Sequence, residues 1–513
     1  VVEPDLIVIE APGKLGSVYR CFDRMGRPIT AVATLGHIYK NQGPLDRAGM
    51  AWVDGALVET DRVPERPDAL AHLRAALARC TGRVVIATDD DTEGHVIAQD
   101  VAQLAVDVGV AGPVVRVLPH AMTPEAWREA MDAARPLDPE DARVGTARRL
   151  LDRLIAFVSI QTTGGRPVGR VQSALLGLGG TDQVPDRAVC VPAPAADGGT
   201  PFMGVGGFHG PIPSEALAPV PVATTSTEPL GELMHGGDAL LALQAQLSLP
   251  IGEASALLQS MYEAGEISYP RASGRGLRAD GAAAVAMLAR ARAVRSFSAQ
   301  LLPLLAPNTG PAHESVHLVL GGMIERLDLG KPLRLCADTR EAAATVIGRR
   351  CIEAGVPVAR DRPVLGALPP WARKLDWSRD HRRPSLPWRS STPPVEQSLD
   401  LATGIVRAQL ATGLGRPSTW ARHAERCADS DWFAPGHGLS IVGRIQLSGI
   451  LTPLRDPATS VAIERVLEDV SLSVHERVEE ALVLVLGNDR AAAHNVLQEL
   501  ADACPNEVPI FSL

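Results

Sequence analysis

The segment ISYPRAS sets Tyr269 one proline before Arg271, in a 513-residue chain with only three other tyrosines, Tyr19, Tyr39 and Tyr262. A phenol beside an always-charged guanidinium is a candidate nucleophile for a phosphodiester. The oxygen must shed its proton, and the cation steadies the charge that develops on phosphorus. Taken alone, the same residues also read as a strand tyrosine packing its ring beside a surface arginine. A second candidate is the acidic run Asp89, Asp90, Asp91 and Glu93. Alternating Asp89, Asp91 and Glu93 can converge on one hard cation, and Mg²⁺ suits them because it uses few protein oxygens and keeps several waters. Asp90 falls out of that phase. The competing reading is an acidic turn with an N-capping aspartate.

The flanking residues say what positions these groups. Val84 to Ala87 is an apolar run expected to be a buried parallel strand, and the apolar periodicity from Val96 to Leu104 predicts the helix after it. Ligand and metal sites in open α/β sheets gather at the carboxyl ends of strands, where Asp89, Asp91 and Glu93 stand. Leu6 to Ile9 predicts another buried strand, followed by a turn carrying Glu10 and Lys14 around a Pro-Gly pair. Carboxylates crowded at one site raise one another's pKa, so one of them, Glu10, can carry a proton as general acid. Lys14 offers a compact charge to a phosphate, in a chain whose basic residues are overwhelmingly arginine.

With these motifs in order, the chain resembles a type IA DNA topoisomerase. IEAPGK is similar to the family's opening motif, TLGHI to its following Gly-His strand, and ATDDDTEG to its toprim D-x-D-x-E motif. ARRLLDRLIAF, GRVQSALL, TSTEPL, MYEAGEISYPRAS, AHES and GLGRPSTWA follow in the family's order, covering most of residues 5 to 425. The proline after Tyr269 resembles topoisomerase III, and GLGRPSTWA resembles bacterial topoisomerase I. The resemblance implies a toprim α/β domain joined to mainly helical and small β domains in a multidomain toroidal architecture. It implies Mg²⁺-dependent cleavage of one strand through a 5′-phosphotyrosyl link, strand passage and religation, which would relax negatively supercoiled DNA or decatenate it. Tyr269, Arg271, Glu10, Lys14 and His313 would be catalytic, and Asp89, Asp91 and Glu93 would hold Mg²⁺. Arg170, Gln172, Ser173, Arg416, Ser418 and Thr419 would bind single-stranded DNA. Three positions depart from the pattern: Thr92 stands for an arginine, His95 for an acid, and Ser273 for an aspartate. Each removes a charge near metal or phosphate. A toprim nuclease or primase, which needs no tyrosine, and a catalytically weakened DNA-binding relative are the rival classes.

Composition constrains the rest. With 46% apolar residues and no apolar run near 20 residues, a soluble, cytoplasmic protein without membrane association is expected. The seven cysteines, Cys21, Cys80, Cys190, Cys336, Cys351, Cys427 and Cys504, contain no C-x-x-C pair, so neither a disulfide frame nor the C-terminal zinc ribbons of many relatives is expected. A formal charge of −9 argues against nucleic acid, whose binders are usually basic. Arg143, Arg148, Arg149, Arg153, Arg166 and Arg170 crowd one segment, and Arg271, Arg275 and Arg278 follow the tyrosine. Such clusters can make a basic groove in an acidic molecule, or a helix surface laced with ion pairs.

The expected order is a toprim domain over 1–135, a helical DNA-binding segment over 136–185 and an abbreviated gate β segment over 186–228. A helical domain with the tyrosine spans 229–357, a basic, Trp- and Pro-rich hinge 358–393, a helical DNA-binding segment 394–456 and an amphipathic helical tail 457–513. Within these, Thr123 predicts a helix N-cap, Gly265 a helix C-cap before a strand carrying Tyr269, and FAPGHGLSIVGRIQL a small β-wing. Tyr262 is expected in the core. In the hinge, Arg360, Arg362, Arg373, Lys374, Arg379, Arg382, Arg383 and Arg389 mix with Trp371, Trp377 and Trp388. This mixture fits base stacking or trapped tryptophans equally well, so no site is assigned there.

Overall fold

Leu6 to Ile9 and Val84 to Ile86 are buried almost completely, as apolar runs flanked on both faces must be. In the computed structural model they are the central strands of a parallel four-stranded sheet. The strands are β1 (Asp5–Ile9), β2 (Ile29–Ala33), β3 (Val84–Ile86) and β4 (Val114–Arg116), in the order β2-β1-β3-β4. The structure describes residues 3–41, 49–53, 56–163, 168–305, 313–319, 321–381, 386–388 and 396–502. Arg166, Arg382, Arg383, Arg389 and Cys504 lie outside them.

The strand order reverses between β1 and β3, so their carboxyl ends flank a topological switch point, the usual ligand position of such sheets. Glu10 follows β1 and Asp89 follows β3. The core behind them joins Leu6, Val8, Val84 and Ile86 to Leu73 and Leu77 of the Pro67–Ala78 helix and to Ile97, Val101 and Leu104 of the Thr92–Val108 helix. Thr123 caps the Pro124–Asp132 helix through the Ala126 amide, with Glu125 and Glu129 outside.

Residues 136 to 178 are largely helical as expected, in the Pro139–Thr162 helix and the start of Arg170–Gly180. Gly145 lets the long helix approach the Thr92–Val108 helix, since a Cβ there would lie 2.4 Å from Val96 Cγ2 and 2.8 Å from the Thr92 carbonyl. The tail holds three helices, Pro457–Glu468, Val474–Val485 and Arg490–Asp502, and the first two pack on the Pro139–Thr162 helix. Together these elements belong to one compact unit, Val1–Gly177 with Glu263–Gly265 and Ile445–Leu513.

The second unit comprises Leu178–Tyr262 and Glu266–Arg444. Its antiparallel sheet runs β5 (Arg187–Ala193), β6 (Phe202–Phe208), β7 (Val222–Pro229), β8 (Pro357–Pro363), β9 (Asp376–Asp380) and β10 (Glu396–Ser398), in the order β7-β8-β9-β6-β5-β10. Phe202, Leu375 and Trp377 centre its core. The tryptophans are trapped: Trp377 Nε1 donates to the Ala372 carbonyl and Trp388 Nε1 to Glu353. Arg360, Arg362 and Arg379 pair with Asp380, Glu228, Asp376, Asp361 and Asp197.

Two local expectations are corrected. Tyr269 lies on irregular chain, where a single bridge, Ile267 to Leu318, replaces the expected strand; Pro270 removes the donor that would continue it. The β-wing is one bridge, Phe433 to Leu439, followed by the Ile441–Gly449 helix. Gly265 does take the left-handed conformation, with φ of 78°, and Tyr262 is buried.

Candidate active site

At the carboxyl end of β3 the acids divide their work. Asp91 is the N-cap of the Thr92–Val108 helix, accepting from the Gly94 amide at 2.8 Å. The capping reading and the ligand reading of this aspartate are therefore compatible, because a carboxylate has a second oxygen. Gly94 is required there: a Cβ would sit 2.1 Å from the Asp89 carbonyl. Asp89 forms an ion pair with Lys14, whose side chain is 1% exposed. Lys14 thus spends its charge on an acid of the cluster. Glu93 Oε2 lies 2.7 Å from His37 Nε2, on the turn after β2. Asp90, pointing away as its phase predicts, lies 3.4 Å from His95.

Beneath the acids is Arg116, a residue the motif reading missed. It is 2% exposed, and its guanidinium donates to the carbonyls of Ile86, Thr88 and Asp89. Burial lowers its pKa to about 10, while Asp90 and Asp89 act in the opposite sense. It supplies under the turn a positive charge that Thr92 does not. Its signal was an arginine inside the apolar run VVRVL, since a cation in a buried strand must find acceptors.

In the second unit, Tyr269 is 3% exposed and lies between two rings. Tyr262 meets it edge-on at 5.2 Å between centroids, and His313 lies at 4.2 Å. The pairing follows from main-chain bonds that hold residues 266–268 beside 315–319: Ser268 N to the His317 carbonyl, Val319 N to the Glu266 carbonyl and Ser268 Oγ to the Ser315 carbonyl. Arg271 is partly exposed and Ser273 exposed. Arg275 pairs with Asp238 and Glu232. In GLGRPST, Gly415 has φ of 77°, and the Arg416 carbonyl accepts from Thr419 N and Oγ1, winding the loop into the Trp420–Ala428 helix. Arg416, Ser418 and Thr419 are partly exposed.

Residues 5–117 match the Toprim domain family. The stretch most similar to curated proteins is 28% identical over 181 residues to DNA topoisomerase 1 of Campylobacter jejuni and 29% over 182 residues to that of Thermotoga maritima, 34% of this chain in each case. It spans about a quarter, 25% and 26%, of those relatives. The solved full-length topoisomerase I of Thermotoga maritima superposes on 96% of this chain and 88% of its own, with a TM-score of 0.60 and 16% identity. The chain has the type IA topoisomerase fold.

Within that fold, the expected strand-binding residues separate. Arg170 is 4% exposed and bound to Asp152, Glu464 and the Ser460 carbonyl and hydroxyl; Gln172 and Ser173 are buried. They are interior supports here, which corrects their reading as an open strand-binding patch. The arginine-rich segment follows the ion-pair reading: Arg143 pairs with Glu140, Arg148 with Glu464, Arg149 with Glu59 and Arg153 with Asp61. Burial pushes the Cys21 thiol up to about 11 and those of Cys351 and Cys427 up to about 12, so these thiols stay protonated and unreactive. Among the described residues, no helix is long and apolar enough to cross a membrane.

Proposed function

We propose that the protein is a DNA topoisomerase that cuts and reseals one strand through Tyr269. The observation that carries this reading is the Tyr269–His313 ring contact, which joins two motifs 44 residues apart beside Pro270 and Arg271. The phenol oxygen attacks phosphorus, the 3′ oxygen leaves, and the protein stays on the 5′ phosphate. Arg271 stabilises charge on the phosphoryl oxygens, and His313 positions the ring and the phosphate. Glu10 protonates the departing 3′ oxygen and takes the proton back on religation. Lys14 supports this chemistry by fixing Asp89. Because Tyr269 is buried, a strand reaches it only through a change of conformation. Single-stranded DNA is the proposed partner, with Arg416, Ser418 and Thr419 as contacts.

The donors at the β1 and β3 ends are all hard carboxylate oxygens, which fits Mg²⁺. Asp89, Asp91 and Glu93 would hold it. Bound there, the ion would place the 3′ hydroxyl and phosphate for resealing. His37 keeps Glu93 in place, and the Gly94 amide fixes Asp91.

A denaturing gel tests the proposal. Mixed with single-stranded DNA and quenched, the protein should shift a 3′-labelled strand to protein size and release a short free fragment from a 5′-labelled one. A nuclease gives free fragments with either label, and a non-catalytic relative gives neither. Tyr269→Phe removes only the nucleophilic oxygen and should lose the adduct while still binding DNA; an adduct at normal yield would refute the assignment.

A further inference from the structure

The Toprim unit carries a second feature that the cleavage chemistry does not use. An open cleft of about 430 Å³ lies beside Glu93, lined by His37, Tyr39, Lys40, Asn41, Arg66 and Arg149 among others. That volume falls within the range of small-ligand pockets. Three fixed cations face it and one acid, Glu65, balances them only through a 3.4 Å pair with Lys40. Arg149 is engaged by Glu59, whereas Lys40 and Arg66 are exposed at the rim. Arg66 donates to the Leu35 carbonyl and keeps further N–H groups for a ligand. Tyr39 adds a ring, with the Arg62 guanidinium 4.9 Å from its centroid.

The cleft wall is also strained. Leu35 has φ of 63° and Gly36 of 92°, and a bulky residue in the left-handed region costs about 1–3 kcal/mol. The Leu35 amide donates to the Glu10 carbonyl, which ties this turn to the carboxyl end of β1. Such strain is retained where a loop must present its groups in one arrangement, and here the groups are cationic and polar.

We propose that this cleft binds the phosphate of one nucleotide unit, held by Lys40 and Arg66, with Tyr39 and Asn41 beside the base or sugar. Two sources share that chemistry: a nucleotide of the bound strand, an arm that rests on the proposed topoisomerase reading, and a free mononucleotide, an arm that does not. The test uses the full chain carrying Tyr269→Phe, so that its outcome is independent of the nucleophile assignment. Lys40→Ala/Arg66→Ala is compared with the charge-keeping Lys40→Arg/Arg66→Lys, with a short labelled oligothymidylate and thymidine 5′-monophosphate as probes.

If the strand occupies the cleft, the alanine pair weakens oligonucleotide binding about tenfold or more, and the log-log salt slope falls by about 1.4 for two phosphate contacts. If a free nucleotide is the occupant, only mononucleotide binding is lost. In either case the charge-keeping pair retains most of the affinity. Unchanged binding of both probes by the alanine pair, or equal loss in the charge-keeping pair, would overturn the proposal.

Discussion

The Pro139–Thr162 helix with Arg170 and the rim of the Toprim cleft are both rich in cations, yet they do opposite things with them. On the helix each described arginine of the cluster meets a carboxylate, and the partners are far away in sequence: Glu464 lies 316 residues from Arg148 and 294 from Arg170. At the rim, Lys40 and Arg66 are exposed, and the one acid of the lining is loosely engaged. Local density of arginine therefore says little about charge available to a ligand. What decides is whether folding brings acids to it, and in a chain of net charge −9 there are enough acids to do so.

The largest expected effect breaks the first region. Glu464 holds Arg148 at 2.5 Å and Arg170 at 2.6 Å, and both guanidinium groups are buried. Glu464→Ala leaves two buried cations short of a partner and should cost about 3–5 kcal/mol, read as a lower urea midpoint for the first unit. Lys40→Ala/Arg66→Ala should move that midpoint by no more than about 0.5 kcal/mol. Equal effects would erase the distinction between the two regions.

The β7-β8-β9 sheet gives a slightly smaller and pH-dependent version. Burial pushes the Asp361 carboxyl up, but hydrogen bonds from Thr225, His381 and Arg379 outweigh it and hold its pKa at about 2. Because the folded value lies below the ordinary aspartate value of about 3.9, the stabilisation is complete above about pH 4 and is lost as pH falls through 2. Asp361→Asn should cost on the order of 3 kcal/mol at neutral pH. Acid titration followed by near-UV circular dichroism should show a weaker pH 4-to-2 transition in the variant than in the parent. A variant as acid-sensitive as the parent would locate the transition elsewhere.

What the sequence disclosed follows the same division. Short-range signals were legible: buried strands at Leu6–Ile9 and Val84–Ala87, the Thr123 cap, the Gly265 turn and the acids at the strand end. They rest on propensity and period, which act over a few residues. The roles of Lys14 and Arg170 were misplaced because their partners, Asp89 and Glu464, are 75 and 294 residues away. Motif order was enough to place Tyr269 and His313 together. It could not tell that Pro270 and a single bridge leave Tyr269 off any strand, nor that His37 would support Glu93.

A smaller effect sharpens the metal assignment. Glu93→Gln keeps a side-chain oxygen near His37 but removes the charge a hard cation needs. Its Mg²⁺ affinity, measured calorimetrically without DNA, should fall about tenfold, as for loss of a coordinating charge or its support. The melting midpoint should be nearly unchanged, because Glu93 is about one-third exposed. Unaltered Mg²⁺ binding would remove Glu93 from the ligand set.

The smallest effect tests whether all pairs on the helix deserve equal weight. Arg143 and Glu140 sit three residues apart with side chains 40% and 51% exposed, so water screens them and each retains rotamer freedom. Arg143→Ala should change stability by about 0.3–0.5 kcal/mol, and by less at high salt. Arg153, paired with Asp61 at 2.8 Å and with its side chain 10% exposed, should cost several times more when replaced by alanine and should keep most of that cost in salt. Parallel urea melts of both variants at low and high salt separate the cases. If the two responded alike to salt, burial would not be what sets the strength of these pairs, and the contrast between helix and rim would reduce to a count of charges.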